Sequence, residues 1–233
     1  MSLVEKSKPF LDYLDGWRAE LPVLPLGDLL TKPDHTAVMV VDMIEGFCSM
    51  GPLSSPRVNA LRGGIADLLE KVYDAGVRDF VLAQDSHEPD AVEFGAFPPH
   101  CVRGTAEAET IAEIRALPFF GQMTLVEKNA LASYIGTSLN AWLDERPRLE
   151  TFIILGNCTD LCVYQFAMHL RLQANQLQRQ RRVIVPADLV ATYDRPVAAA
   201  LAQGGLAHDG DLIDSVFLYH MALNAVEVVA AIR

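Results

Sequence analysis

Short, almost wholly apolar runs alternate along this chain with longer stretches whose apolar residues recur every three or four positions. The first kind predicts strands buried on both faces, the second helices with one buried side. "AVMVVDM" (37–43) reads as a strand and 56–75 as a helix stopping at Gly76. "DFVLAQD" (79–85) is the next strand, followed by a proline-rich loop through "EFGAFPPHCVRGT". A helix over 106–116 precedes "MTLVEK" (123–128), and a helix over 137–145 precedes "TFIILG" (151–156). A helix over 161–178 leads to "RVIVPAD" (182–188), and helices over 195–207 and 211–223 lead to a last strand, "VEVVAAI" (226–232).

This alternation predicts an α/β fold: a three-layer α/β/α sandwich on a mostly parallel six-stranded sheet. The first 35 residues do not share the pattern. The expected division is an N-terminal arm, 1–35, packed on the surface or on a neighbouring subunit, and one domain over 36–233.

Thirty acidic residues against 19 basic give a net charge of −11, which argues against a nucleic-acid or anionic-membrane footprint. The one basic cluster, Arg179 to Arg182, falls at an expected helix end, where cations are favoured. Four cysteines are too few for a disulfide framework in a chain this long, the N-terminus lacks the form of a secretion signal, and no run is long enough to span a bilayer. A reducing, cytoplasmic setting is the expectation.

Chemistry collects where the strands end. Asp42 closes the first strand, Asp85 the second and Lys128 the third, while the fourth runs into "GNCTDLCV". In open parallel sheets that rim is where ligands bind, and a doubly buried strand seldom carries a charge without a role. The Cys158-x3-Cys162 pair admits several readings by itself: a disulfide, half a metal site, or a nucleophile beside a packing residue. With its neighbours it reads best as a nucleophile. Cys162 would start a helix, whose dipole favours thiolate. Asp42 would accept the thiol proton, Lys128 would hold the Asp, and amides between Gly156 and Cys162 would face an oxyanion. Asp85, His87, Glu93 and His100 form a second set, an N/O donor group suited to Zn²⁺, or to Mn²⁺ or Fe²⁺. His169, His208 and His220 fit packing or surface roles, and Trp17 and Trp142 fit packing. "GGLAHDGD" (204–211) reads as a loop capped by Asp209 or Asp211.

Over about residues 36 to 232 these features resemble the nicotinamidase and isochorismatase-like cysteine hydrolases. "VVDMIEGF" is similar to the family's first strand and implies Asp42 as base and Phe47 as a wall of the pocket. "AQDSHEPDAVEFGAFPPHCVRGT" resembles the metal loop, implying Asp85, His87 and His100 as ligands, Glu93 as an acidic fourth, and Phe97 as an aromatic against the substrate ring. "VEKNALASYIGTSL" implies Lys128 as the catalytic lysine, with Tyr134 or Ile135 lining the pocket. "GNCTDLCV" implies Cys162 as nucleophile, a cis peptide before Cys158, and backbone N–H groups of Cys158 and Cys162 as the oxyanion hole. Cys158 departs from the pattern, where a smaller residue is usual; a small buried hydrophobe or a resolving thiol for an oxidised Cys162 are its two readings.

The resemblance implies a metal-dependent amidohydrolase of linear amides, converting nicotinamide to nicotinate and ammonia as in NAD salvage, with zinc the first choice of metal and a homo-oligomer as the assembly. Its partner is then a small-molecule amide. The alternatives are a member acting on another amide, such as a carbamoyl or ureido compound, and a non-catalytic member that keeps the metal site.

Overall fold

The computed structural model describes residues 2–233. Its main sheet contains β1 (Thr36–Val41), β2 (Asp79–Asp85), β3 (Thr124–Lys128), β4 (Thr151–Asn157), β5 (Arg182–Pro186) and β6 (Glu227–Val229) in the spatial order β3-β2-β1-β4-β5-β6. Every pairing is parallel, and a two-residue strand, Val190–Ala191, adds to the end of β4. The expected six-stranded α/β architecture is therefore present.

β1, β2 and β4 are buried along their whole length, so successive side chains serve opposite layers. Val38 and Val40 of β1 join the core on one face, with Ile65, Leu68, Leu69 and Val72 of helix α2 (Arg62–Asp74). Ala37, Met39 and Val41 join the core on the other. There they meet α3 (Leu139–Asp144), α4 (Cys162–Gln176) and, beyond the short α5 (Val197–Gln203), α6 (Gly210–Leu223).

The expected elements shift where tertiary bonds compete with local pattern. The helix over 56–75 is two pieces, Pro56–Asn59 and α2. The helix over 106–116 is broken: the Glu45 N–H bonds the Glu109 carbonyl (2.9 Å) and the Ile111 N–H bonds that of Met43 (3.1 Å), which draws 109–111 out as an extended bridge to the turn after β1. The helix over 195–207 shrinks to Val197–Gln203, ending at Gly204 with φ +78°. The last strand splits at Ala230, whose N–H bonds the Pro22 carbonyl at 2.8 Å. Ala231–Ile232 then pairs with Val23–Leu24 rather than with the main sheet.

That pairing fastens the N-terminal segment to the chain's own C-terminus. The helix α1 of the sequence's unpatterned arm, Leu3–Ala19, starts at a Ser2/Glu5 capping box. It buries Leu14 and sets Trp17 edge-on to Tyr219 of α6, ring centroids 5.1 Å apart. Among the described residues no helix is long and apolar enough to cross a membrane.

The chain reverses its direction of strand addition between β1 and β4. A cleft opens at such a switch point, beyond the carboxyl ends of the strands. Asp42, Asp85, Lys128 and the β4–α4 turn all lie there.

Candidate active site

Asp42 is fixed from both neighbouring strands. Its N–H bonds the Ala83 carbonyl of β2 (2.8 Å), and its carbonyl accepts from the Asn157 side-chain amide of β4 (2.6 Å). These bonds hold the residue at φ +53°, a left-handed conformation unusual for a non-glycine. Its Oδ1 accepts the Asp85 N–H at 2.9 Å. Register places Asp85 beside Lys128, so both side chains leave adjacent strands at one level. Lys128 Nζ lies 2.8 Å from Asp42 Oδ2, ion-pairs with Asp85, and lies 3.5 Å from Cys162 Sγ. All four residues are buried.

Burial sets the protonation pattern. It pushes the Asp42 carboxyl up to about 6; the Lys128 ammonium pulls the other way and Asp85 adds to the rise. Burial also acts against the charge on Asp85, but the Lys128 ammonium beside it outweighs burial and holds that carboxyl well below its usual range. Lys128 stays charged despite burial because two carboxylates face it. For Cys162, burial drives the thiol well above its usual value, with Lys128 opposing and Asp42 and Asp85 reinforcing. Burial beside two carboxylates thus opposes the ionisation that the helix start and the ammonium favour. The expected proton acceptor, Asp42, stands at the same ammonium as the thiol.

The turn that delivers Cys162 needs its glycine. Gly156 has φ +111°, and a Cβ there would run into the Val41 carbonyl oxygen of β1. The following Asn157–Cys158 peptide is cis. The Thr159 N–H bonds the Ala191 carbonyl (3.3 Å), the Val163 N–H bonds that of Cys158 (3.1 Å), and α4 begins at Cys162. Among the described residues the amides of Cys158 and Cys162 have no acceptor in the chain. Burial pushes the Cys158 thiol up to about 12, and all four cysteines are free.

Asp85, His87 and His100 bring one ligand atom each within 4.8 Å of one another. The loop reaches back to do this: the His87 N–H bonds the Cys101 carbonyl (3.0 Å), and the Arg103 N–H bonds that of His87 (2.8 Å). His87 Nδ1 lies 2.8 Å from Asn129 Oδ1, and His100 Nδ1 lies 2.8 Å from the Pro98 carbonyl. Both partners are oxygens able to accept, so each Nδ1 carries its proton and each Nε2 keeps a lone pair. These Nε2 atoms lie 3.5 and 3.8 Å from Asp85 Oδ2, and that of His87 is buried with no hydrogen-bond partner. An orphaned nitrogen, a second imidazole and a carboxylate fit a divalent cation of the Zn²⁺, Mn²⁺ or Fe²⁺ type. Glu93, half-buried in the turn Val92–Gly95, stands outside this group of three; burial and Asp85 raise its pKa.

Phe47 and Phe97 both face His100, with centroids 5.7 and 6.2 Å away. Phe94 goes unnoticed in the sequence, although it sits edge-on to both imidazoles at 5.3 and 5.6 Å. Its position beside Glu93 in "VEFGAF" was the only available signal. Tyr134 turns elsewhere: its ring stacks on His169 at 3.9 Å, and Ile135 is 68% exposed. His169 is a packed histidine that burial lowers to about 4.

Residues 36–205 match the family model described as the isochorismatase domain, and the chain belongs to that family of isochorismatase-like hydrolases. It is 27% identical over 221 residues to nicotinamidase 1 of Arabidopsis thaliana, across 88% of this chain and 89% of that one. It is 29% identical over 148 residues to the nicotinamidase/pyrazinamidase of Mycobacterium tuberculosis, across 56% and 76% of the two chains. Among solved structures it resembles the pyrazinamidase of Pyrococcus horikoshii in complex with zinc (22% identity, TM-score 0.65, 84% and 98% of the chains covered). It also resembles the N-carbamoylsarcosine amidase of Thermoplasma acidophilum (26%, 0.60, 83% and 95%).

Proposed function

We propose that this protein hydrolyses nicotinamide to nicotinate and ammonia through a thioester on Cys162. The observation that carries the reading is the buried set Asp42, Lys128 and Cys162 standing directly beside Asp85, His87 and His100. The curated relatives, both bearing nicotinamidase names, support it.

Asp42 takes the Cys162 proton as sulfur attacks the carboxamide carbon. Lys128 holds Asp42 by its ion pair and faces the sulfur as it gains charge. The free amides of Cys158 and Cys162 receive the carbonyl oxygen of the tetrahedral intermediate. Asp42 returns the proton to nitrogen, ammonia leaves, and water activated by the same carboxylate cleaves the thioester. Asp85, His87 and His100, with Glu93 as a candidate fourth donor, would hold a divalent cation, which supplies a coordination position for the ring nitrogen. Phe47 and Phe97 would flank the ring.

The test is ammonia release from nicotinamide by metal-loaded protein. Cys162→Ala abolishes it, and His87→Ala, which removes one of the three donors, reduces it by at least the roughly 10- to 100-fold seen when only the partners around a metal's ligands are disturbed. No release from the native protein sinks the nicotinamide assignment. Carbamoyl amides are then the first to screen, because one structural relative is an N-carbamoylsarcosine amidase.

A further inference from the structure

Asp160 lies within the nucleophile turn, between the two residues whose amides are free. Its carboxylate does not face the thiol. Oδ1 accepts from Thr192 Oγ1 at 2.5 Å, and Oδ2 lies 3.0 Å from His208 Nε2. The other ring nitrogen, His208 Nδ1, is 2.9 Å from the Tyr193 carbonyl, and the imidazole stacks on the Tyr193 ring at 3.9 Å. The imidazole is thus held between two oxygens, one at each ring nitrogen, with a carboxylate on the side of the turn.

His208 is itself clamped. Its N–H bonds the Arg195 carbonyl (2.9 Å) and its carbonyl accepts the Arg195 N–H (2.7 Å), closing the stem of the loop that carries α5. Asp209 then caps α6 through the Leu212 N–H, so the histidine is anchored between a bridge and a helix start. Thr192 is held in turn by its N–H to Asp214 Oδ1 (3.0 Å) and its carbonyl to Arg57 Nε (3.0 Å). The midpoint of the Cys158–Cys162 turn is therefore tied, through hydrogen bonds, to a residue 48 positions downstream that is itself held by a bridge.

We infer that His208 is a positioning residue: through Asp160 it fixes the turn so that the Cys158 and Cys162 amides converge on one oxyanion. It touches neither substrate nor sulfur. The inference rests on the thioester reading of the site, not on nicotinamide as substrate. An oxyanion hole demands donors held in place before charge develops, and a turn whose middle residue swings free loses that preorganisation.

The experiment compares two reactions of Cys162 in the native protein and in His208→Ala, His208→Gln and Asp160→Asn. Acetylation by p-nitrophenyl acetate passes through a tetrahedral oxyanion: the S–C bond forms, the proton goes to Asp42, and nitrophenolate leaves. Alkylation by iodoacetamide displaces iodide at a saturated carbon and needs no oxyanion donor. Both are read by intact mass, and acetylation also by nitrophenolate release, with thermal melting recorded for each variant. In His208→Ala acetylation slows by about tenfold or more, in the range of misplaced catalytic groups, while alkylation stays within about twofold. His208→Gln, which keeps a donor for Asp160, recovers much of the rate, and Asp160→Asn behaves like His208→Ala. Equal slowing of both reactions shows a general loosening of the fold and overturns the inference, as does unchanged acetylation. Acetylation absent from the native protein removes the oxyanion hole itself and overturns it too. Failure to release ammonia from nicotinamide, with the acetylation difference intact, rejects only the substrate.

Discussion

At Asp42 one residue serves two strands and two chemistries. Its backbone bridges β2 and β4, while its carboxylate meets Lys128 and the amide of Asp85. Its place at a strand end was legible in the sequence; its left-handed backbone was not, because that conformation is imposed by bonds to chain segments distant in sequence. Gly156 is the complementary case. It approaches Val41 so closely that no side chain fits, and its φ of +111° strains any L-residue. Gly156→Ala is expected to cost about 3 kcal/mol of stability by urea unfolding, from a clash with main-chain atoms that cannot yield and an unfavourable backbone. A loss below about 1 kcal/mol would show that β4 can move away from β1.

Among elements, the turn after β1 is held by an arginine fork. Arg62, at the first residue of α2, bonds Glu45 through Nη1 and Nη2 (2.8 and 3.0 Å) and Glu113 through Nε (2.8 and 2.9 Å). It thereby joins the short helices Glu45–Cys48 and Ala112–Arg115 to α2. Hydrogen bonds from Arg62 hold both carboxyls below their usual range, against the opposing effect of burial. Lowered carboxylate values in the folded state mean stability that is present above the unfolded value, near 4.3, and lost as pH falls through the folded ones. Urea unfolding at pH 7 and pH 3.5 should show this contribution, about 1 kcal/mol after allowance for the partial exposure of Glu113, begin to fall on acidification. In Arg62→Ala that part of the pH dependence is expected to flatten. The helix expected over 106–116 breaks beside this fork because backbone bonds recruit residues 109–111 to the β1 turn, and periodicity carries no information about those bonds.

At the scale of the molecule, the buried Asp85, His87 and His100 group couples the fold to its ligand. A cation that binds the native state and not the unfolded one stabilises it by mass action, so Zn²⁺ at about 100 times its dissociation constant should add about 2.7 kcal/mol and raise the melting temperature. His87→Ala should abolish the rise; because it also leaves a cavity and deprives Asn129 Oδ1 of its partner, the metal-free variant is expected to melt below the native chain, and the metal-dependent shift is the quantity read. A metal-dependent rise that survives His87→Ala would place the cation elsewhere.

The sequence by itself determined the layers and the rim. Doubly apolar runs require a sheet covered on both faces, and charges at the ends of such runs are tolerated only where they meet one another, so Asp42, Asp85, Lys128 and Cys162 could be placed together before any contact was seen. Tertiary structure alone decided what each of those groups is. Burial beside two carboxylates raises the Cys162 thiol against the pull of a helix start, Tyr134 stacks on His169 because packing chose between two sides of a loop, and Phe94 meets both imidazoles because the loop folds back on β2. His208 reaches Asp160 across a separation in sequence that no local pattern spans. Periodicity records which face a residue presents to the core; protonation, loop course and long-range pairing depend on the sum of distant fields and contacts, which exist only once the chain has closed on itself.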